Sequence, residues 1–209
     1  MTEPTPPSSL KLDPSKLKQL KCAHHVAYRC RDAEQTRWFY EDVLGLPLVL
    51  ALDLEDEPGT GQRHPYLHLF FQMADGNLIA FFDAPDSMSE SQFAPKHSFD
   101  LHLAFEVDTI EELKAWRRRI NLAGRPCFGP IPHEFVDSIY MYDPNGYMME
   151  ITVKTPIYDK YIEEHGLNGK AHEVLKNWSA RTRAQKLEKC GEEALDTRGV
   201  YFPPEKQSA

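Results

Sequence analysis

Two stretches of this chain repeat one order of elements with little identity between them, and no other feature restricts the fold as strongly. In the first, His25-Val-Ala-Tyr-Arg-Cys30 alternates as a strand, Asp32 stands as the N-cap of a helix carrying Trp38, Phe39, Val43 and Leu44, and Gly45 stops it. In the second, His102-Leu-Ala-Phe-Glu-Val107 is the strand, Asp108 or Thr109 the cap, and Ile110, Leu113, Trp116, Arg117 and Ile120 follow at helical spacing before Gly124. The leading histidines, at 25 and 102, are 77 residues apart. Three extended runs come after each helix: Pro47 to Asp53, Tyr66 to Met73 and Leu78 to Phe82, then Cys127 to Gly129, Ser138 to Tyr142 and Tyr147 to Val153. Each copy therefore reads strand, helix, strand, strand, strand, which predicts an α+β fold of paired βαβββ modules forming a cupped mixed sheet.

The tight turns also align, because Asp75-Gly76-Asn77 and the three residues to Ala80 match Asn145-Gly146-Tyr147 and the three to Glu150, an offset of 70. The offset shrinks because the first copy carries the longer loop Glu55 to Gly61 and the connection Asp83 to Phe99. A flexible segment is expected over residues 1–21, the paired modules over 22–154 (about 22–84 and 99–154) and a helical extension over 155–209, with Tyr158, Tyr161, Ile162, Val174, Leu175 and Trp178 as a weak apolar face. That extension is expected either to cover the domain or to join a second subunit.

Strand alternation puts His25, Ala27 and Arg29 on one face and Val26, Tyr28 and Cys30 on the other; His102, Ala104 and Glu106 oppose Leu103, Phe105 and Val107 in the same way. The apolar faces are expected to meet the helices, leaving both histidines on the opposite face beside two small alanines. Glu150, near the start of the last strand, can complete a site there, and its equivalent in the first copy is Ala80. Two neutral imidazoles and one carboxylate suit Fe(II), Mn(II), Zn(II) or Ni(II) and leave coordination positions free for substrate and for oxygen or water.

Composition narrows the partner. The chain has 209 residues, 24 Lys+Arg against 32 Asp+Glu, and a net charge of −8, which disfavours binding through nucleic-acid phosphates and points to a small molecule. Cys22, Cys30, Cys127 and Cys190 form no CxxC pair and follow no charged-then-apolar leader, so reduced thiols in a cytoplasmic protein are expected. No apolar run approaches the roughly 18 residues of a membrane helix.

Residues of about 22 to 154 resemble the vicinal oxygen chelate superfamily (glyoxalase/bleomycin resistance/dioxygenase), built from paired βαβββ units. Within it, the run Ile131-Pro-His133, five residues, Ile139-Tyr140, two residues, Asp143-Pro144-Asn145-Gly146, three residues, Glu150 resembles the signature of extradiol ring-cleaving dioxygenases. The resemblance implies Fe(II) held by His25, His102 and Glu150, with His133 and Tyr140 placed to hydrogen-bond a bound catechol-like diol and the oxygen-derived species. It further implies dioxygen as co-substrate. His24 is set aside, because the His-apolar-Ala pattern of the second copy aligns with His25, and it is expected on the opposite strand face. Asp143 to Gly146 read as a turn that serves as scaffold. Phe70, Phe71, Phe81, Phe82 and Phe93 supply aromatic surface for a ring pocket, half or more of them expected in the core.

Two departures stand out. Many extradiol enzymes carry two such paired modules, and they use another histidine upstream of the second ligand as acid-base group; His97, His64 and His68 do not match that position cleanly. The alternatives are a glyoxalase, epimerase or thiol transferase using Zn, Mn or Ni as a Lewis acid, and a non-enzymatic module that sequesters an aromatic or drug-like ligand. A homodimer or higher homo-oligomer is expected.

Overall fold

A computed structural model describes residues 18, 20–167 and 170–195 of the chain. Lys21–Asp159 forms one compact unit, and the helical segments from Lys160 onward belong to another. In the first unit each copy builds the same four-stranded sheet. Strands β1 (His25–Arg29), β2 (Leu48–Asp56), β3 (Arg63–Gln72) and β4 (Leu78–Asp83) lie in the order β1-β4-β3-β2. Strands β5 (His102–Val107), β6 (Cys127–Pro132), β7 (Val136–Tyr142) and β8 (Met148–Lys154) repeat it as β5-β8-β7-β6. In each, the first strand runs parallel to the fourth and the other neighbours are antiparallel. The expected mixed α+β architecture of paired βαβββ modules is what the chain forms.

The crossover helices start where the caps predict. Asp32 Oδ1 accepts from Gln35 N at 2.6 Å at the head of α1 (Ala33–Arg37). Thr109 and Glu112 close a reciprocal capping box on α2 (Ile110–Leu122). The first helix differs from the single regular helix expected, because after one turn it widens into a π-helical stretch, Trp38–Val43. The wider turn sends Phe39, Tyr40 and Val43 inward together, the first two with no exposed surface. They join Phe71, Ile79 and Phe81 from β3 and β4 and Leu113, Ile139, Met141 and Met149 from the second copy in one core shared by both modules.

A buried polar clamp ties the modules together at the turn between β7 and β8. Asp143 is 1% exposed, and its carboxylate accepts from Asn145 N and Tyr147 N, both at 2.8 Å, and from Asn145 Nδ2 and the Tyr40 hydroxyl, both at 3.0 Å. Asn145, fully buried, accepts from Arg31 N at 2.8 Å and donates to Thr36 Oγ1 at 3.2 Å. The turn expected only as scaffold thus also locks α1 of the first copy onto the second. Gly146 is obligatory for this, since its φ is +80° and a Cβ there would stand 2.5 Å from the Phe93 carbonyl oxygen.

The remaining elements are α3 (Tyr158–Ile162), a π-helical stretch Glu163–Leu167, and α4 (Lys170–Leu195), which breaks at Gly191, where φ is +79°. The expected helical character after Thr155 is present there, and the expected flexible segment 1–21 lies mostly outside the described residues. Replacing Tyr40 by Phe removes one donor from a buried carboxylate while keeping the ring's packing. It should cost about 1–3 kcal/mol in urea denaturation, with an unchanged m-value.

Candidate metal centre

The pairing register converts the repeat into a site. Ala27 faces Ala80 across β1 and β4, and Ala104 faces Glu150 across β5 and β8, so the alignment of Ala80 with Glu150 is a true structural equivalence. His25, Ala27, His102 and Ala104 are exposed, while Val26, Tyr28, Leu103 and Phe105 pack against the core, as alternation requires.

Glu150, 8% exposed, is the centre of a connected set. Tyr140 lies directly opposite it on β7, and the Tyr140 hydroxyl donates to Glu150 Oε1 at 3.1 Å. His133 Nε2 stands 2.8 Å from the same hydroxyl. A hydroxyl has one proton to give, so His133 must donate its Nε2–H to Tyr140, which fixes the neutral ring with hydrogen on Nε2. The other carboxylate oxygen, Oε2, faces His102 Nε2 at 3.6 Å.

The His102 ring is oriented by its second nitrogen. Nδ1 lies 2.7 Å from the Ser98 carbonyl oxygen, which can only accept, so the proton sits on Nδ1 and the neutral ring turns its Nε2 lone pair toward Glu150. Two acceptors therefore point at each other at a separation too long for a hydrogen bond. Such an arrangement asks for a cation. Two donors bound at about 2.1 Å to one ion stand roughly 3.0–3.4 Å apart, slightly closer than the 3.6 Å here, and a ligand histidine that donates its other N–H to a backbone carbonyl is the usual support. The donor chemistry of His102 and Glu150 fits a divalent metal.

His25 is not joined to that pair: among the described residues no three His, Cys, Asp or Glu side chains are assembled as a metal-sized group. Its ring is 6.2 Å from Phe70, and its Nδ1 is 2.9 Å from Nδ1 of His24. His24 therefore does not turn away on the opposite face as expected. It precedes the first residue of β1, where strand alternation no longer dictates direction, and its ring reaches back to His25. When His24 accepts the Nδ1 proton of His25, the His25 Nε2 lone pair is left free for a ligand role. Sequence reasoning missed this contact and the Ser98 carbonyl, and only the doubled histidine at the strand start hinted at the first.

His64, His68 and His97 do not enter the set. His68 Nδ1 bonds the Phe81 carbonyl at 3.0 Å, with its ring stacked on Phe82 at 3.8 Å; His64 Nε2 bonds Ser87 at 2.8 Å; His97 Nδ1 accepts from Phe99 N at 3.1 Å. Of the phenylalanines, Phe71, Phe81 and Phe93 are core, whereas Phe70 and Phe82 are half-buried. A cavity of about 950 Å³ touches His25 on one wall and Ala104 on the other, but not His102, Glu150, Tyr140 or His133.

Against this geometry, the family model described as the Glyoxalase/Bleomycin resistance protein/Dioxygenase superfamily matches residues 23–151. The chain belongs to that superfamily. A glyoxalase/dioxygenase from Nostoc punctiforme shares 27% identity at a TM-score of 0.50, over 69% of this chain and 96% of that one. Two further structures show the fold alone. A glyoxylase/bleomycin resistance protein/dioxygenase domain from Frankia sp. has 16% identity and a TM-score of 0.52, over 66% of this chain and 100% of that one. A mutant fosfomycin resistance protein, FosX, from Listeria monocytogenes, complexed with Mn(II) and 1S,2S-dihydroxypropylphosphonic acid, has 20% identity and a TM-score of 0.50, over 68% of this chain and 99% of that one. A search among curated proteins finds no match. No helix among the described residues is long and apolar enough to cross a membrane.

Burial raises the Tyr140 phenol above the ordinary tyrosine range; the nearby Ser138 side chain opposes this, and the Glu150 carboxylate adds to the rise. A phenol so raised stays protonated, and so a donor, throughout the neutral range. In Glu150→Gln the Tyr140 phenol should ionise at lower pH than in the wild type. Ultraviolet titration checks this, with Tyr140→Phe identifying the residue's share of the absorbance change.

Proposed function

We propose that the chain is a divalent-metal dioxygenase, with Fe(II) as its working ion, that cleaves a catechol-like diol outside its two hydroxyls. What carries the reading is the linked set His133, Tyr140, Glu150 and His102, in which one carboxylate oxygen is held by a tyrosine and the other opposes a histidine lone pair. His25, His102 and Glu150 would hold the ion. When bound there, the ion would be chelated by the two diol oxygens and would supply the redox link between the electron-rich ring and dioxygen.

The protein's own groups have separable tasks. Ser98 keeps the His102 Nε2 lone pair facing Glu150, and Tyr140 fixes the carboxylate rotamer. His133 and Tyr140 form a short relay, with imidazole nitrogen and phenol oxygen 2.8 Å apart, that can hand a proton to an oxygen developing negative charge beside Glu150. Phe70, 6.2 Å from the His25 ring, offers an aromatic surface for the diol ring. Exposed Val49, Leu50 and Leu52 on edge strand β2, with Phe128 and Ile131 on edge strand β6, supply apolar surface for a homo-oligomer.

The test is anaerobic reconstitution with Fe(II), followed by oxygen uptake with a panel of catechols. His25→Ala, His102→Ala and Glu150→Ala should each lose metal; His133→Phe and Tyr140→Phe should retain it while kcat falls roughly 10²- to 10⁴-fold. Oxygen-independent turnover restored by Ni or Zn would refute the dioxygenase reading, and unchanged metal content in all three alanine variants would refute the ligand set.

A further inference from the structure

The two copies close their ends differently. At the second copy's turn, Tyr147 enters the space beside β1: its ring lies 5.0 Å from that of Tyr28, its hydroxyl donates to the Arg29 carbonyl at 2.9 Å, and it is 8% exposed. The carbonyls of Phe93 and Ala94 roof the adjoining Gly146. At the first copy's turn, the residue aligned with Tyr147 is Asn77, and a Cβ on Gly76 would meet nothing within 4 Å. The space that one end fills with a tyrosine is open at the other. It is the 950 Å³ cavity, within the size range of small-molecule sites.

This cavity is bordered by both leading strands, each an edge strand and not paired with the other. Its lining includes the exposed His25 and Ala104, the latter directly opposite Glu150, and the buried or half-buried Leu44, Leu103, Phe105 and Trp116. Its charged lining is acidic: Asp75, Glu106 and Asp108 contribute, and no Lys or Arg does among the described residues. Asp75 is engaged by Asn77 and Glu106 by Lys154, so the walls offer apolar contact and no site for an anion.

Resting on the dioxygenase reading, we infer that this slot receives an apolar, uncharged substituent of the diol whose two oxygens are held at His25, His102 and Glu150, making the preferred substrate an alkyl-substituted rather than a carboxylated catechol. The volume and apolar lining, Trp116 included, suit one substituent of several carbons. A carboxylate there would face carboxylates across apolar walls.

The experiment measures kcat/KM of the Fe(II)-loaded full chain for catechol, 4-butylcatechol and 3,4-dihydroxybenzoate. Butylcatechol should exceed catechol by roughly 10-fold or more, and the carboxylated ring should not. Asn77→Tyr, which installs the residue that closes the equivalent space, should abolish the butyl advantage and leave catechol turnover intact; Leu46→Trp, filling from the α1–β2 loop, should act alike if the first variant folds poorly. A butyl preference that survives both substitutions, or a preference for the carboxylated ring, overturns the inference. Should no catechol be consumed at all, the dioxygenase reading itself fails, and calorimetric titration of the metal-free chain with butylbenzene then decides the slot. Binding lost in Asn77→Tyr supports an apolar site, and binding unchanged or absent in the wild type overturns it.

Discussion

The Asp143 carboxylate is the constraint from which the site's geometry follows. A carboxylate with 1% exposure is costly unless it is fully hydrogen-bonded, and this one is satisfied by two backbone amides of its own turn, by Asn145 and by Tyr40 from the other module. The same carboxylate therefore shapes the β7–β8 turn and attaches the first copy's helix to it. Because that turn sets which residue of β7 faces which residue of β8, it places Tyr140 opposite Glu150. A slip of one residue would send Glu150 to the core face and destroy the site.

Within that frame, a neutral His102 turns its Nε2 lone pair toward Glu150 Oε2 at 3.6 Å, an arrangement suited to a shared cation. Both groups are steered into it by separate hydrogen bonds, His102 by donating Nδ1–H to the Ser98 carbonyl and Glu150 by accepting from Tyr140. His25, the third donor of the proposed site, stands on the leading strand of the other copy, with its Nδ1 2.9 Å from that of His24. A site so divided between two modules would depend on how they are held, and Arg119, donating to the Val43 and Asp42 carbonyls at 2.6 and 2.9 Å, reinforces the Asp143 clamp from the α2 side.

Most of the scaffold was legible in the sequence because it repeats. Equivalent histidines, equivalent caps and equivalent Gly turns predicted two βαβββ modules, and the Ala27/Ala80 and Ala104/Glu150 pairings agree with the alignment residue for residue. Glu150 was found from its place on the last strand, and His133 and Tyr140 from the resemblance to the dioxygenase signature; the structure brings those three and His102 together. What the sequence did not disclose depends on three-dimensional packing. Asp143 and Asn145 look like ordinary turn residues until Tyr40 and Thr36, more than a hundred positions earlier, are seen bonded to them. The π-helical widening at Trp38–Val43 has no local code that separates it from a regular amphipathic helix. The difference between Asn77 and Tyr147 was visible as an aligned pair, yet only the packing of Tyr147 against Tyr28 reveals that it opens a cavity at one end and seals the other.

The central claim is that three side chains from two modules converge on one ion, and an anaerobic crystal structure of the full chain loaded with Fe(II) tests it most directly. The account predicts a single ion within about 2.0–2.3 Å of His25, His102 and Glu150, with Tyr140 still bonded to the carboxylate and His133 to Tyr140. An ion held elsewhere, or held by His102 and Glu150 with His25 remaining turned to His24 alone, would contradict it.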